Sequence, residues 1–157
     1  MAFDSWGLLE VADSLISAND PSDSHIARAI STAYYAIFQH VCCAGAELLI
    51  GPEDDSMTRA KEHVRRSFGH KALCKRLGMA QNADHDFPEN LVNFGTAFCQ
   101  SRKKRESADY DVSKTFSKSD ALDMLASVRC AMGGFDAVEE KHRRAFIVWA
   151  LIDRRER

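Results

Sequence analysis

Three ionisable residues stand where an apolar stripe should continue. From Pro88 to about Ala108 the apolar residues recur at helical spacing. On a wheel of about 3.6 residues per turn with Leu91 as origin, Phe94 falls at about 300° and Phe98 at about 340°. Arg102 then falls at about 20°, Arg105 at about 320°, and Asp109 comes back in line with Leu91. Lys103, Lys104 and Glu106 point elsewhere, towards solvent. A charge on a core-facing stripe is costly unless it is paired or lines a wet cleft. Two readings follow. In one, the helix has left the core by Arg102, and Arg105 and Asp109 form a weak surface pair at i,i+4. In the other, Arg102 and Arg105 face a cleft between helices or subunits and hold a phosphate or carboxylate, which the planar guanidinium binds through two parallel hydrogen bonds.

Other residue types could share that cleft. Tyr110 can hydrogen-bond a phosphate, but an unperturbed phenol, with a pKa of about 10, is a poor base at neutral pH. Asp109 can accept a proton, though a carboxylate beside two Arg is a weak base. His40 falls on the apolar arc of a long helix beside Ala33 and Ile37; it is either a hydrogen-bonded core histidine or a base that reaches the cleft. Tyr34 and Tyr35 are aromatic core residues whose hydroxyls need partners, and Tyr34 could bond across the cleft to Asp109 or a ligand. His70 and Cys74 stand at i,i+4, but two ligands are too few for a metal, and neither His63 nor His85 completes a motif. No metal or cofactor is expected. No Gly-rich phosphate loop, nucleophile elbow or Ser-His-Asp spacing is visible.

The elements that must position these groups read as helices, with no alternating strand pattern. The first covers Ser5–Ala18. The second runs from about Pro21, with Asp20 as N-cap, to Ile50, and stops at Gly51-Pro52. Its apolar arc is wide (Ile26, Ile30, Ala33, Tyr34, Ile37, Val41, Ala44, Leu48), as in the central helix of a bundle. Ser56 caps a basic third helix to about Phe68; Gly69 breaks it, and a short piece follows over His70–Leu77. Pro88 opens the fourth. Ser117 or Ser119 caps a fifth that ends at Gly133-Gly134. The apolar segment 145–152 suits a buried helix better than a strand, packed in a dimer interface or under the bundle. The sum is an all-α, antiparallel, up-and-down bundle of four to five helices, a single domain over residues 1–157.

Composition bounds the function. The chain has 157 residues, 45% apolar and 28% charged, with net charge −2, so it is not a uniformly basic nucleic-acid binder. The charge is uneven: residues 1–55 carry nine acids and one base, whereas 56–76 carry seven bases and one acid. The bases Arg59, Lys61, Arg65, Arg66, Lys71, Lys75 and Arg76 form either a solvated helix face or a surface that tracks phosphates. Five cysteines without framework spacing suit free thiols in a reducing compartment. The longest uncharged run, Ala29–Ala46, contains Ser31, Thr32, two Tyr, Gln39 and His40, too polar for a membrane span. A cytoplasmic protein that leaves the membrane alone is expected.

Two stretches resemble a known family. Arg28-Ala-Ile-Ser-Thr-Ala-Tyr34-Tyr35-Ala-Ile-Phe38 is similar to the second-helix signature of HEPN domains, and Arg105-Glu-Ser-Ala-Asp109-Tyr110-Asp111 to their other signature, late in the bundle. The basic stretch before His70, then Leu73 and Cys74, and the closing Arg143-Arg144-Ala145-Phe146, resemble a bacterial subgroup of small stand-alone members; the likeness covers about residues 8–152. It implies a homodimer. Many members are metal-independent ribonucleases, some of them toxins neutralised by a nucleotidyltransferase partner, and others only bind. The family's catalytic pattern is Arg followed four to six residues later by His, gathered across the dimer cleft. This chain departs from it: Ser107, Ala108 and Asp109 follow Arg102, and Tyr110, Asp111 and Val112 follow Arg105. Arg65 and His70 match the spacing, but in the wrong helix. Where the family often places His after the Phe, this chain has Gln39, with His40 next.

The expectation is therefore a binding module that holds an RNA phosphate, a nucleotide or an acidic partner on Arg102 and Arg105, with Tyr34, Asp109 and Tyr110 around it. The alternatives are an endoribonuclease, as toxin or antiphage effector, using those Arg residues with Tyr110, Asp109 or His40 as base, and a structural protein whose charged cluster serves dimerisation.

Overall fold

The structure is a computed structural model that describes residues 3–52, 54–83 and 85–152. It contains α1 (Ser5–Leu15), α2 (Asp23–Ile50), α3 (Thr58–Arg66), α4 (His70–Leu77), α5 (Glu89–Tyr110), α6 (Lys118–Asp136) and α7 (Glu140–Leu151). Single 3-10 turns lie at Asp55–Met57 and Ala80–Asn82, and there is no strand among the described residues. The all-α expectation holds, with seven α-helices among the described residues in place of four or five.

Cross-helix pairs give the directions. Phe98, Arg105 and Asp109, in that order along α5, lie against Phe38, Tyr34 and Ser31 of α2, so the two run antiparallel. Phe94 meets Phe135 of α6, and Lys104 bonds the Asp120 carbonyl, so α5 and α6 are antiparallel as well. Asp13 pairs with Arg129, and Lys118 with the Ala18 carbonyl, so α1 also opposes α6. These four helices enclose the core, and α3 and α7 pack on α2 while α4 packs on α5. Ile30, Tyr34, Ile37, Leu91, Phe94, Phe98, Leu125, Phe135 and Phe146 are almost wholly buried in it.

Helix ends follow local chemistry, with several corrections to the sequence reading. Ser22, not Asp20, caps α2: its side chain accepts from the His25 amide, so Pro21 stays outside the helix. Gly51 closes α2 at φ 104°, a left-handed conformation that favours glycine. The 3-10 turn before α3 is capped by Asp54, whose carboxylate accepts from the Ser56 amide. Ser117 caps α6 with Asp120 in a reciprocal capping box. Gly133-Gly134 does not end that helix; Phe135, fully buried against Phe94, carries it another turn. Of the 145–152 segment, all but Ile152 is the later part of a longer helix that buries Phe146, Ile147 and Ala150 and leaves Val148 exposed; Ile152, past the helix end, is exposed as well. α2 is long and apolar enough to cross a membrane, with mean hydropathy 1.3 over its best window. That window is 61% buried among the other helices, and so serves as the bundle's central element.

Candidate functional site

Ser31, Tyr34, Tyr35 and Phe38 follow one another on a face of α2 at i, i+3, i+4 and i+7, the spacing that aligns side chains on a helix. Arg102, Arg105 and Asp109 run the opposite way along α5 at i, i+3 and i+7. The antiparallel packing lays one row on the other. Gly69 breaks the chain after α3, and His70 becomes the first residue of α4. Leu73 and Leu77 of that helix are buried, so His70 heads an i, i+3, i+7 stripe aimed into the bundle. Three helices thus meet at Tyr34.

Arg105 lies at the centre. Its guanidinium carbon is 5.0 Å from the Tyr34 ring centroid, 5.7 Å from that of Tyr35 and 5.9 Å from that of Tyr110, within the range of cation–π attraction. The side chain is only 10% exposed, and its nearest carboxylate oxygen, on Asp109, stands 3.7 Å away. Asp109 also accepts a hydrogen bond from Ser31 at 3.2 Å. Arg102 pairs with Glu106 at 2.5 Å and is 20% exposed. The Nε atoms of both Arg102 and Arg105 are buried without a hydrogen-bond partner.

His70 closes the other side. Its Nδ1 lies 2.6 Å from the Tyr34 hydroxyl, and its ring stacks on Phe38 at 3.9 Å between centroids. Burial, then the charges of Arg105 and Arg102, push the His70 pKa below the usual imidazole value. The ring is therefore neutral at neutral pH. Burial raises the Tyr34 pKa well above that of an ordinary phenol, although Arg105 and Arg102 pull the other way, so its hydroxyl stays protonated. For Arg105, burial opposes the charged form, but Tyr35, Tyr34, Asp109 and Tyr110 together hold its pKa above the usual value. The site holds a fixed cation beside a neutral imidazole. When Nδ1–H donates to Tyr34, Nε2 presents a lone pair; when the tyrosine donates, Nε2 presents an N–H.

The structure brings together Arg105, Tyr34, Asp109 and Tyr110, with Arg102 close enough to act on His70. Tyr34 meets His70 rather than Asp109, whose partner from α2 is Ser31. Tyr110 is at the rim, 75% exposed. His40 is not among these residues. It is buried, bonded to Ser5 and Asp136 and packed against Trp6 and Phe135. Chain spacing pairs His70 with Arg65 and misses its place in the site; Leu73 and Leu77, at i+3 and i+7, are the sequence signal that it faces inward. Nor is the basic run one uniform face. Lys61 is buried and paired with Glu47 at 2.8 Å, and Arg76 stacks on Trp149 and donates to its carbonyl.

No family model, curated protein or solved structure matches the chain.

Proposed function

We propose that the Arg102 and Arg105 cluster binds the phosphate of an RNA strand or a nucleotide, in an HEPN-like cytoplasmic protein that works as a homodimer. The observation that carries this reading is the Arg105 guanidinium: buried, held among three tyrosine rings, and with an unpartnered Nε. Its Nε is closed off from solvent and makes no hydrogen bond, and a guanidinium in that state gains from an anion that reaches its terminal nitrogens. Tyr35 and Tyr110, both exposed at the rim, offer aromatic faces on which a base can stack.

A second reading, metal-independent cleavage of RNA, is favoured by His70. A neutral imidazole can take the proton of a ribose 2′-hydroxyl, and the two guanidiniums can stabilise the charge that builds on phosphorus. His70 then takes the place of the histidine absent after Arg102 and Arg105, and neither Tyr110, Asp109 nor His40 is needed as base.

The test is binding and cleavage of labelled single-stranded RNA in EDTA, by the parent and by Arg102→Ala/Arg105→Ala. Binding lost in the variant, with no cleavage by either, supports the module. Cleavage by the parent, lost in the variant and in His70→Ala, supports the nuclease. Equal RNA affinity in parent and variant overturns the cleft assignment. A variant that turns monomeric by light scattering assigns the cluster to dimerisation.

A further inference from the structure

Further along α2, facing α1 and α6, a second cluster shares no residue with the Arg105 cleft. Ser5 opens α1, His40 lies within α2 and Asp136 closes α6, so three helices meet at one imidazole. Ser5 Oγ lies 2.9 Å from His40 Nδ1, and His40 Nε2 lies 2.7 Å from Asp136 Oδ1. For a neutral imidazole beside a carboxylate the protons are ordered. An ionised carboxylate only accepts, so Nε2 carries the hydrogen and donates it to Asp136. Nδ1 is then the lone-pair nitrogen, and the Ser5 hydroxyl donates to it. Carboxylate, imidazole and hydroxyl are thus joined in the order that activates a serine. Trp6 and Phe135 stand edge-on to the imidazole, each at 5.8 Å, and hold its plane.

The series does not end in solid core. Ser5, His40 and Asp136 all line an open cavity of about 560 Å³, with Cys43, Glu47 and Arg143 among its other walls. Ser5 and His40 are 6% and 8% exposed, which keeps bulk water off the hydrogen bond between them. On the wall of the same cavity Arg143 spends its Nε on the Val138 carbonyl and lies over the Phe135 ring; within the proposal it is the cation that would answer a developing oxyanion.

We propose that Ser5 is a nucleophile, activated by His40 and Asp136, that accepts the acyl group of a small, short-chain ester and passes it to water. Ser5 Oγ bonds the carbonyl carbon while its proton moves to Nδ1, and the carbonyl electron pair moves onto oxygen. Collapse of that adduct breaks the carbon–alkoxy bond, and the Nδ1 proton goes to the departing alcohol. Water then attacks the acyl-serine, giving its proton to Nδ1. The acid leaves, and Ser5 recovers its hydrogen. Asp136 stays ionised throughout and steadies the imidazolium.

The full chain is treated with a fluorophosphonate, which phosphonylates activated serines with loss of HF, and the adduct is mapped by peptide mass spectrometry; turnover of p-nitrophenyl acetate is followed in parallel. A single adduct on Ser5 is expected, absent in Ser5→Ala. Asp136→Asn, which keeps the shape of the side chain, is expected to slow labelling and turnover by about 10²- to 10⁴-fold with an unchanged circular dichroism spectrum. Arg102→Ala/Arg105→Ala is expected to label like the parent, which separates this site from the phosphate cleft. No adduct on folded parent, an adduct on another residue, or unchanged turnover in Ser5→Ala overturns the proposal. Should Ser5→Ala not fold, the parent's adduct map and the Asp136→Asn rate decide.

Discussion

Tyr34→Phe deletes one oxygen from the centre of the Arg105 cluster and leaves the ring in place. Tyr34 is fully buried, so no bulk water replaces the lost hydroxyl. The stacking of the ring with Arg105 at 5.0 Å survives. What goes is the 2.6 Å hydrogen bond to His70 Nδ1, leaving a half-buried imidazole nitrogen without a partner. Such an unmade bond costs about 1–3 kcal/mol. For a chain of this size each kcal/mol moves Tm by about 2–4 °C, so a fall of about 2–12 °C is expected by circular dichroism. His70→Ala and the double variant complete a cycle in which the two effects are not additive, with a coupling of about 1 kcal/mol. An unchanged Tm in Tyr34→Phe, or additive losses in the double variant, would refute the claim that this hydrogen bond holds α4 in register with α2.

Other expectations follow from the same packing. His70 has a lowered pKa in the fold, so the unfolded chain takes up its proton first; the stability it contributes is whole above about pH 6.5 and falls as pH drops towards the folded value. Urea unfolding between pH 5 and 8 should show that fall, and His70→Asn should flatten it. Gly95→Ala would place a Cβ 2.4 Å from the Leu77 carbonyl oxygen. The α4 backbone must move, and the cost of about 1–3 kcal/mol exceeds the gain of about 1 kcal/mol from better helix propensity, so a net loss in chemical denaturation is expected. Ser117→Ala removes the N-cap of α6 and should cost about 1 kcal/mol without changing RNA affinity.

Long helices with broad apolar arcs were legible because periodicity reports directly on one buried face. α2 and α5 were read close to their true extent, and the inward turn of Arg105 came from the same wheel. The errors arose where a contact between helices decides. Two glycines looked like the end of α6, but Phe135 docks in the core and draws the helix past them. α7 starts at Glu140, well before its apolar run, because its first turn is polar and no periodic signal marks it. His70 was weighed only against neighbours in the chain, since spacing within one helix carries no information about which helix packs on which. Ser5 and Asp136 were invisible for the same reason: they stand more than a hundred residues apart and meet only through His40.

The tyrosine cage bears on how an anion would be captured. A free arginine side chain gives up roughly 2 kcal/mol of rotamer freedom when it is fixed; Arg105 has already surrendered that freedom in the unliganded protein. An anion bound here would meet a guanidinium already held in place, with the Asp109 oxygen at 3.7 Å as one competitor and the Tyr34 hydroxyl as another. Capture would then require a carboxylate to yield its place, and would favour ligands whose oxygens match a stationary guanidinium over those that need it to swing.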